Sequence, residues 1–177
     1  MESRSDEDLM LSVVEGDLNA FNKIILRHQR TAWSIAHRFL GDAAEAEDIA
    51  QQAFLKILEA ASGYRPTAAF RTYLLRVVTR LCIDHAKKKR PIYTNTLPET
   101  QDRSTDPAQS LAMKERGTAI RKVLDTLPPN QRLALILRHY EEMSYVDIAQ
   151  SLNISVKAVE GLIRRARATL KTRLSSF

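Results

Sequence analysis

Residues 144–174, SYVDIAQSLNISVKAVEGLIRRARATLKTRL, constrain this chain more than any other stretch, because they read as two helices about a tight turn with arginines crowding the second. Val146, Ile148, Ala149 and Leu152 mark the inner side of the first helix, and small Ala149 lets a second helix cross closely. Asn153 supplies the turn, since asparagine enters the left-handed backbone region more readily than other non-glycine residues. Ser155 is the expected N-cap of the second helix. Beyond it Val159, Leu162, Ile163, Ala166 and Leu170 recur at three and four residues and form a packing stripe. The other face holds Lys157, Glu160, Gly161, Arg164 and Lys171, flanked by Arg165 and Arg167. Such a pair is how a helix enters the major groove of DNA, although amphipathic pairs with a merely solvated cationic face are common. The coincidence of turn, small crossing residue and arginine cluster favours DNA.

Charge points the same way. The chain has 177 residues, a formal net charge of +6 and a pI near 9.6, which suits one large domain or two small ones meeting a polyanion. A membrane surface is the competing polyanion, but no apolar run approaches the roughly 20 residues needed to span a bilayer. The first ten residues, MESRSDEDLM, are acidic and polar and do not read as a signal peptide, so a cytoplasmic location is expected. The single cysteine, Cys82, excludes an internal disulfide framework and falls in an apolar helical register, as a small buried thiol would.

Glycines are few and no stretch alternates as a strand would, so the expected fold class is all-α. Ser5 with Asp8 resembles a capping box that opens a short helix reaching about Glu15, and Gly16-Asp17 breaks it. A longer helix carries Phe21, Ile24, Ile25, Trp33, Ile35, Ala36 and Leu40 up to Gly41-Asp42. Residues 43–62 form a third, with Ile49, Ala53, Phe54, Ile57 and Leu58 in register, and a fourth runs from about Thr67 to Lys89. Pro91 stops it. The following PIYTNTLPETQDRSTDPAQ has little apolar periodicity and reads as a flexible linker. Helical pattern resumes near Leu111, pauses at Leu127-Pro128-Pro129 and restarts through Leu133, Leu135, Ile136 and Leu137. The expectation is two small helical domains, residues 1–90 and 110–177, joined by a linker over 91–109 that lets them sit far apart on a shared partner.

The fourth helix is itself basic. Phe70, Leu74, Val77, Val78 and Leu81 form its inward stripe, while Arg76, Arg80 and Lys87 project from the other side with Thr72 and Thr79, and Tyr73 lies on the edge. Terminal Lys87, Lys88, Lys89 and Arg90 suit a helix C-terminus on dipole grounds alone. Capping accounts only for the final turn, so Arg76 and Arg80 beside an aromatic ring favour nucleic acid. The preceding loop, Ser62 to Thr67, offers Tyr64 and Arg65, which suit an unstacked base and are also ordinary connector residues.

These residues resemble a bacterial family, the extracytoplasmic-function sigma factors, which keep only regions two and four of the primary-sigma superfamily. The likeness rests on AEAEDIAQQAFLKIL, on FRTYLLRVVTRLCIDHAKKKR, and on TLPPNQRLALILRHYEEMSYVDIAQSLNISVKAVEGLIRRARATL, in this order and with a linker between. The resemblance implies promoter-specific transcription initiation with core RNA polymerase and promoter DNA as partners. It implies that Asp48, Gln51, Gln52 and Phe54 dock on the polymerase. It further assigns Tyr64, Arg65, Tyr73, Arg76, Thr79, Arg80 and Lys87 to the minus-ten element, captured as a single strand. Ser155, Lys157, Glu160, Gly161, Arg164, Arg165, Arg167 and Lys171 fall to the minus-thirty-five element, read as duplex. An anti-sigma protein is the implied inhibitor. The chain departs from the family at Tyr73, where tryptophan is frequent, at Thr79-Arg80, where arginine-asparagine is frequent, at Asn153, a frequent glycine, and at Lys157-Ala158, often glycine-threonine.

Other classes stay open on the residues alone. Enzyme chemistry finds little support, because His28, His37, His85 and His139 are scattered, no zinc-ligand spacing occurs and no phosphate-binding glycine loop appears. No metal, cofactor or catalytic residue is expected. A one-component repressor explains the C-terminal helix pair but not the basic helix before the linker. A module that binds an acidic protein explains the basic faces without DNA.

Overall fold

The structure of the protein, a computed structural model, describes residues 4–89 and 120–174, and every regular element among them is a helix. Helix α1 (Asp6–Val14) opens at Ser5, whose Oγ accepts from the Asp8 amide at 3.1 Å and donates to the Asp8 carboxylate at 2.7 Å, so Ser5 is the N-cap the sequence expects. Helix α2 (Leu18–Leu40) starts at Asp17, which accepts from the Asn19 and Ala20 amides, and ends on Gly41 at φ 80°. Helix α3 (Ala43–Glu59) is capped by Asp42 and runs into a short 3-10 turn, Ala61–Gly63. Helix α4 (Phe70–Lys88) starts later than the sequence suggests, because Ala69 is extended at ψ 137°. Then come α5 (residues 120–125), α6 (Pro129–His139), α7 (Tyr145–Leu152) and α8 (Val156–Leu174). The linker and residues 111–119 lie outside the described residues.

Asn153 sits at φ 55°, ψ 48° and closes α7, and the Ser155 Oγ accepts from the Ala158 amide at 3.1 Å, so turn and cap fall where the sequence puts them. Two apolar expectations fail. Val146 is 53% exposed, because short α7 rests its Ile148 and Ala149 side on the core and leaves Val146 beyond its edge. Trp33 is partly exposed and stacks on His37 one turn away, with centroids 4.6 Å apart, while fully buried Phe39 takes a core place that the pattern did not give it.

One core runs through both halves. Phe39, Phe70, Leu9, Met10, Ile24, Ile35, Ile57, Leu74 and Leu75 join Leu133, Ile136 and Leu137 in the same cluster, each side chain contributing about 1.5–3 kcal/mol through burial. The halves are therefore packed together here, not held apart. Polar contacts follow the seam. The last carbonyls of α2 carry the negative end of the helix dipole, and beyond His37, which accepts from the Gly41 amide at 2.8 Å, they lack helical donors. Arg121 of α5 donates to three of them, on His37 at 3.3 Å, Arg38 at 2.7 Å and Phe39 at 3.1 Å. Arg132 of α6 adds a bond to the Phe39 carbonyl at 2.9 Å and lies 5.1 Å from the centroid of its ring. Gly41 makes room for this, since a Cβ there would run into the Arg121 guanidinium. Elsewhere Arg71 pairs with Glu141 at 2.6 Å and Arg38 lies over the Tyr140 ring. Cys82 is buried within α4 as expected, and that burial pushes its thiol pKa up to about 12.

Candidate nucleic-acid interface

Helix α8 presents the face that the sequence assigns to duplex DNA. Val159, Ile163 and Ala166 are buried, and this fixes the roll of the helix so that Ser155, Lys157, Glu160, Arg164, Arg165, Arg167 and Lys171 are all exposed. Gly161 is half-buried with the Arg165 guanidinium lying over it; a Cβ there would meet Arg165 Nη1 at 3.1 Å. Arg165 thus shades the one position of this face that has no side chain. Arg167 has a different neighbourhood. It lines an apolar groove of about 380 Å³ together with Ile120, Leu135, Tyr140 and Leu170.

Helix α4 presents a second cationic row, with Arg76, Arg80 and Lys87 exposed and Tyr73 half-buried at the edge. Lys56 of α3 joins Arg76, Arg80 and Lys87 along one cleft. At the end of the helix Lys89 is held by Glu45 of α3, so part of the terminal charge is already neutralised within the protein.

Three candidate residues stand apart from their expected surfaces. Tyr64 is only 6% exposed, its ring 5.6 Å from that of Tyr73 and its hydroxyl without a hydrogen-bond partner, so it backs the loop rather than offering a face to a base. Burial first, then the charges of Glu7, Tyr73 and Asp6, raises its pKa above 10.0. Arg65 is exposed and donates to the Tyr64 carbonyl at 2.8 Å. Thr79 is 1% exposed because α7 covers it; its Oγ1 donates to the Leu75 carbonyl at 2.8 Å and lies 3.4 Å from the Ser151 carbonyl. Phe54 is core, packed edge-on against Phe21 with centroids 6.4 Å apart. By contrast Asp48, Gln51 and Gln52 are exposed together on α3. Leu55 completes that face at 58% exposure, and its three-residue step from Gln52 was the signal that the sequence reading passed over.

The halves meet beside this second row. Helix α7 lies across α4, Arg76 Nη2 donates to Asn153 Oδ1 at 2.8 Å, and a groove of about 720 Å³ lined by Thr67, Thr72, Tyr73, Arg76, Gln150 and Asn153 opens between the halves. Among the described residues no cluster of histidine, cysteine and acidic groups is suited to a metal ion, and no helix is long and apolar enough to cross a membrane.

The family model for Sigma-70 region 2 matches residues 24–92, and that for Sigma-70, region 4 matches residues 117–170. The chain belongs to the extracytoplasmic-function group of sigma-70 RNA polymerase sigma factors. It is 31% identical to the RNA polymerase sigma-H factor of Pseudomonas aeruginosa, over 93% of this chain and 91% of that one. It is likewise 31% identical to the ECF RNA polymerase sigma factor SigW of Bacillus subtilis, over 92% of each. In three dimensions it is similar to CnrH as solved in complex with the cytosolic domain of CnrY, at TM-score 0.75 and 25% identity over 98% of this chain and 99% of that one. The sigma factor RpoE of Bartonella quintana, solved with the anti-sigma factor NepR, shares the fold at TM-score 0.65 and 19% identity, over 88% and 96% of the two chains. Matches in both halves leave no room for a repressor whose first half is a ligand domain.

Proposed function

We propose that this chain is the exchangeable promoter-reading subunit of a bacterial RNA polymerase, acting in the cytoplasm without catalytic residues of its own. The observation that carries the reading is the pair of exposed cationic helix faces, α4 before the linker and α8 after it, one in each sigma region. Residues 1–90 dock on core polymerase and open the minus-ten element, 91–109 connect, and 110–177 grip the minus-thirty-five duplex.

The exposed row of Asp48, Gln51 and Gln52, with Leu55 beside it, makes the polymerase contact, and Phe54 supports it from beneath. Along α4, Tyr73, Arg76, Arg80 and Lys87 receive the single strand, with Arg65 at its end, while Tyr64 holds the loop in place. Phosphate neutralisation and stacking offset the few kcal/mol that unstacking a base costs. Thr79 reaches DNA only once α7 has moved off α4. On α8, Ser155, Lys157, Glu160 and Arg164 lead into the major groove over Gly161, where lysine and arginine suit guanine acceptors and glutamate suits a cytosine amine. Arg165, Arg167 and Lys171 face phosphates.

In the packed arrangement α7 covers part of α4, so DNA engagement on both faces requires the halves to separate. An anti-sigma protein that holds them packed is the expected inhibitor; that CnrH was solved with the cytosolic domain of CnrY and the Bartonella RpoE with an anti-sigma factor supports a protein partner of this kind. Run-off transcription with purified core polymerase, followed by start-site mapping on genomic DNA, tests the reading. Specific transcripts that share two upstream elements are expected. Core polymerase that gains no promoter selectivity from this chain overturns the proposal.

A further inference from the structure

We infer that Glu7 is a positioning residue for promoter opening: from α1 it caps the N-terminus of α4 across 63 residues of sequence and fixes the start of the helix that meets the single strand. The inference rests on reading α4 as the strand-capturing helix.

Most helices here cap themselves. Ser5, Asp17, Asp42 and Ser144 each accept from an amide in the first turn of the helix they precede. Helix α4 does not: the Ala69 methyl cannot accept a hydrogen bond, and no acidic residue stands in the first turn. The Phe70 amide donates instead to Glu7 Oε1 at 2.7 Å. A carboxylate at that end also faces the positive pole of the helix.

Glu7 is held in turn. Its neighbour Asp6 accepts from Arg27 at 2.8 Å and lies 2.6 Å from His28 Nε2, which ties α1 to α2. The His28 ring sits 5.3 Å from the ring of Phe70, and Phe70 meets Tyr73 edge-on at 6.2 Å. The first residue of α4 is thereby gripped at its amide by α1 and at its ring by α2, and it is fully buried. Tyr73, one turn further, takes its place from Phe70. Loss of the Glu7 bond frees the turn that carries Phe70, Arg71, Thr72 and Tyr73, while α8 and the exposed row on α3 keep their geometry.

The test uses the full chain. Amide exchange at Phe70 is measured in the free protein, and opening of a 2-aminopurine-labelled promoter fragment, located by start-site mapping, is measured in the holoenzyme. Glu7→Ala is expected to speed Phe70 exchange and to reduce opening by about fivefold each, the ratio a lost helix cap corresponds to, with core binding and upstream duplex affinity changed less than about twofold. Glu7→Gln keeps an oxygen acceptor and is expected to retain most of both. Adding Ala69→Asp to Glu7→Ala supplies a cap from the helix itself and restores both. Wild-type exchange and opening in Glu7→Ala, equal damage in Glu7→Gln, or no recovery with Ala69→Asp overturns the proposal. A wild-type holoenzyme that opens no fragment, while Glu7→Ala still frees the Phe70 amide, overturns the promoter role of α4 and leaves only the cap.

Discussion

Arg76 on α4 and Asn153 at the end of α7 share a hydrogen bond of 2.8 Å, which ties the candidate strand-capturing helix to the turn of the helix pair in the other half. The same asparagine holds a left-handed backbone at φ 55°, so a single residue both turns the chain and contacts the opposite half.

Those two roles are separable. Asn153→Gly keeps the left-handed turn, which glycine adopts freely, and deletes the acceptor for Arg76. An exposed bond of this kind is worth about 0.5 kcal/mol, so the ratio of packed to separated molecules should fall about twofold. Single-molecule energy transfer between dyes on α2 and α8 reads the change as a larger long-distance fraction. An unaltered distance distribution would show that the bond does not hold the halves together.

Asp48 and Phe54 lie six residues apart on α3 and should fail in different ways. Asp48→Arg reverses an exposed charge and should abolish co-elution with core polymerase while leaving thermal unfolding unchanged. Phe54→Ala removes a ring packed on Phe21 and should cost about 3–5 kcal/mol in a urea titration. If Asp48→Arg still binds core polymerase, the docking face lies elsewhere.

On α8 the exposed row should divide into reading and holding. Glu160→Ala is expected to change the order of preference among minus-thirty-five sequences. Lys171→Ala should weaken all of them alike and lower the salt slope by about 1. Filter binding to a panel of duplexes at several salt concentrations distinguishes the two, and equal uniform losses from both variants would refute the division.

Acid should loosen α1 through Asp6. Burial opposes its charged form, but hydrogen bonds from Arg27 and His28 and their charges outweigh that and hold its pKa below the ordinary 3.8. A carboxylate with a depressed pKa stabilises the fold at every pH above its unfolded value and loses that contribution as pH falls through its folded value. The Asp6 contribution should therefore stand above the ordinary 3.8 and be lost as pH falls through the lower folded value. Urea titrations across that range should show an acid-limb decline in wild type that is shallower in Asp6→Asn.

Most helix ends, and which side of α8 is exposed, were legible because they depend on local chemistry. Ser5, Gly41, Asn153 and Ser155 act on amides and carbonyls within a few residues of themselves, so their effect is written beside them. The roll of α8 followed from its apolar stripe. What stayed hidden depends on neighbours far along the chain. Thr79 looks like an outward residue until α7 is laid over it, and Tyr64 looks like a free loop aromatic until the turn after α3 folds it inward. Arg121 and Arg132 drew no notice, because nothing nearby in sequence announces that their partners are the last carbonyls of α2. The Glu7 bond to Phe70 was equally invisible, since a missing cap at Ala69 does not say which distant acceptor replaces it.

The shared core has a consequence for protein turnover. A chain whose halves bury Phe39 and Leu75 in one cluster with Leu137 should melt as a single cooperative unit while packed, and parting the halves uncovers greasy surface that bound polymerase has to shield. Copies that open without finding a polymerase become protease substrates, so the supply of enzyme, as much as any inhibitor, would set how long each copy survives.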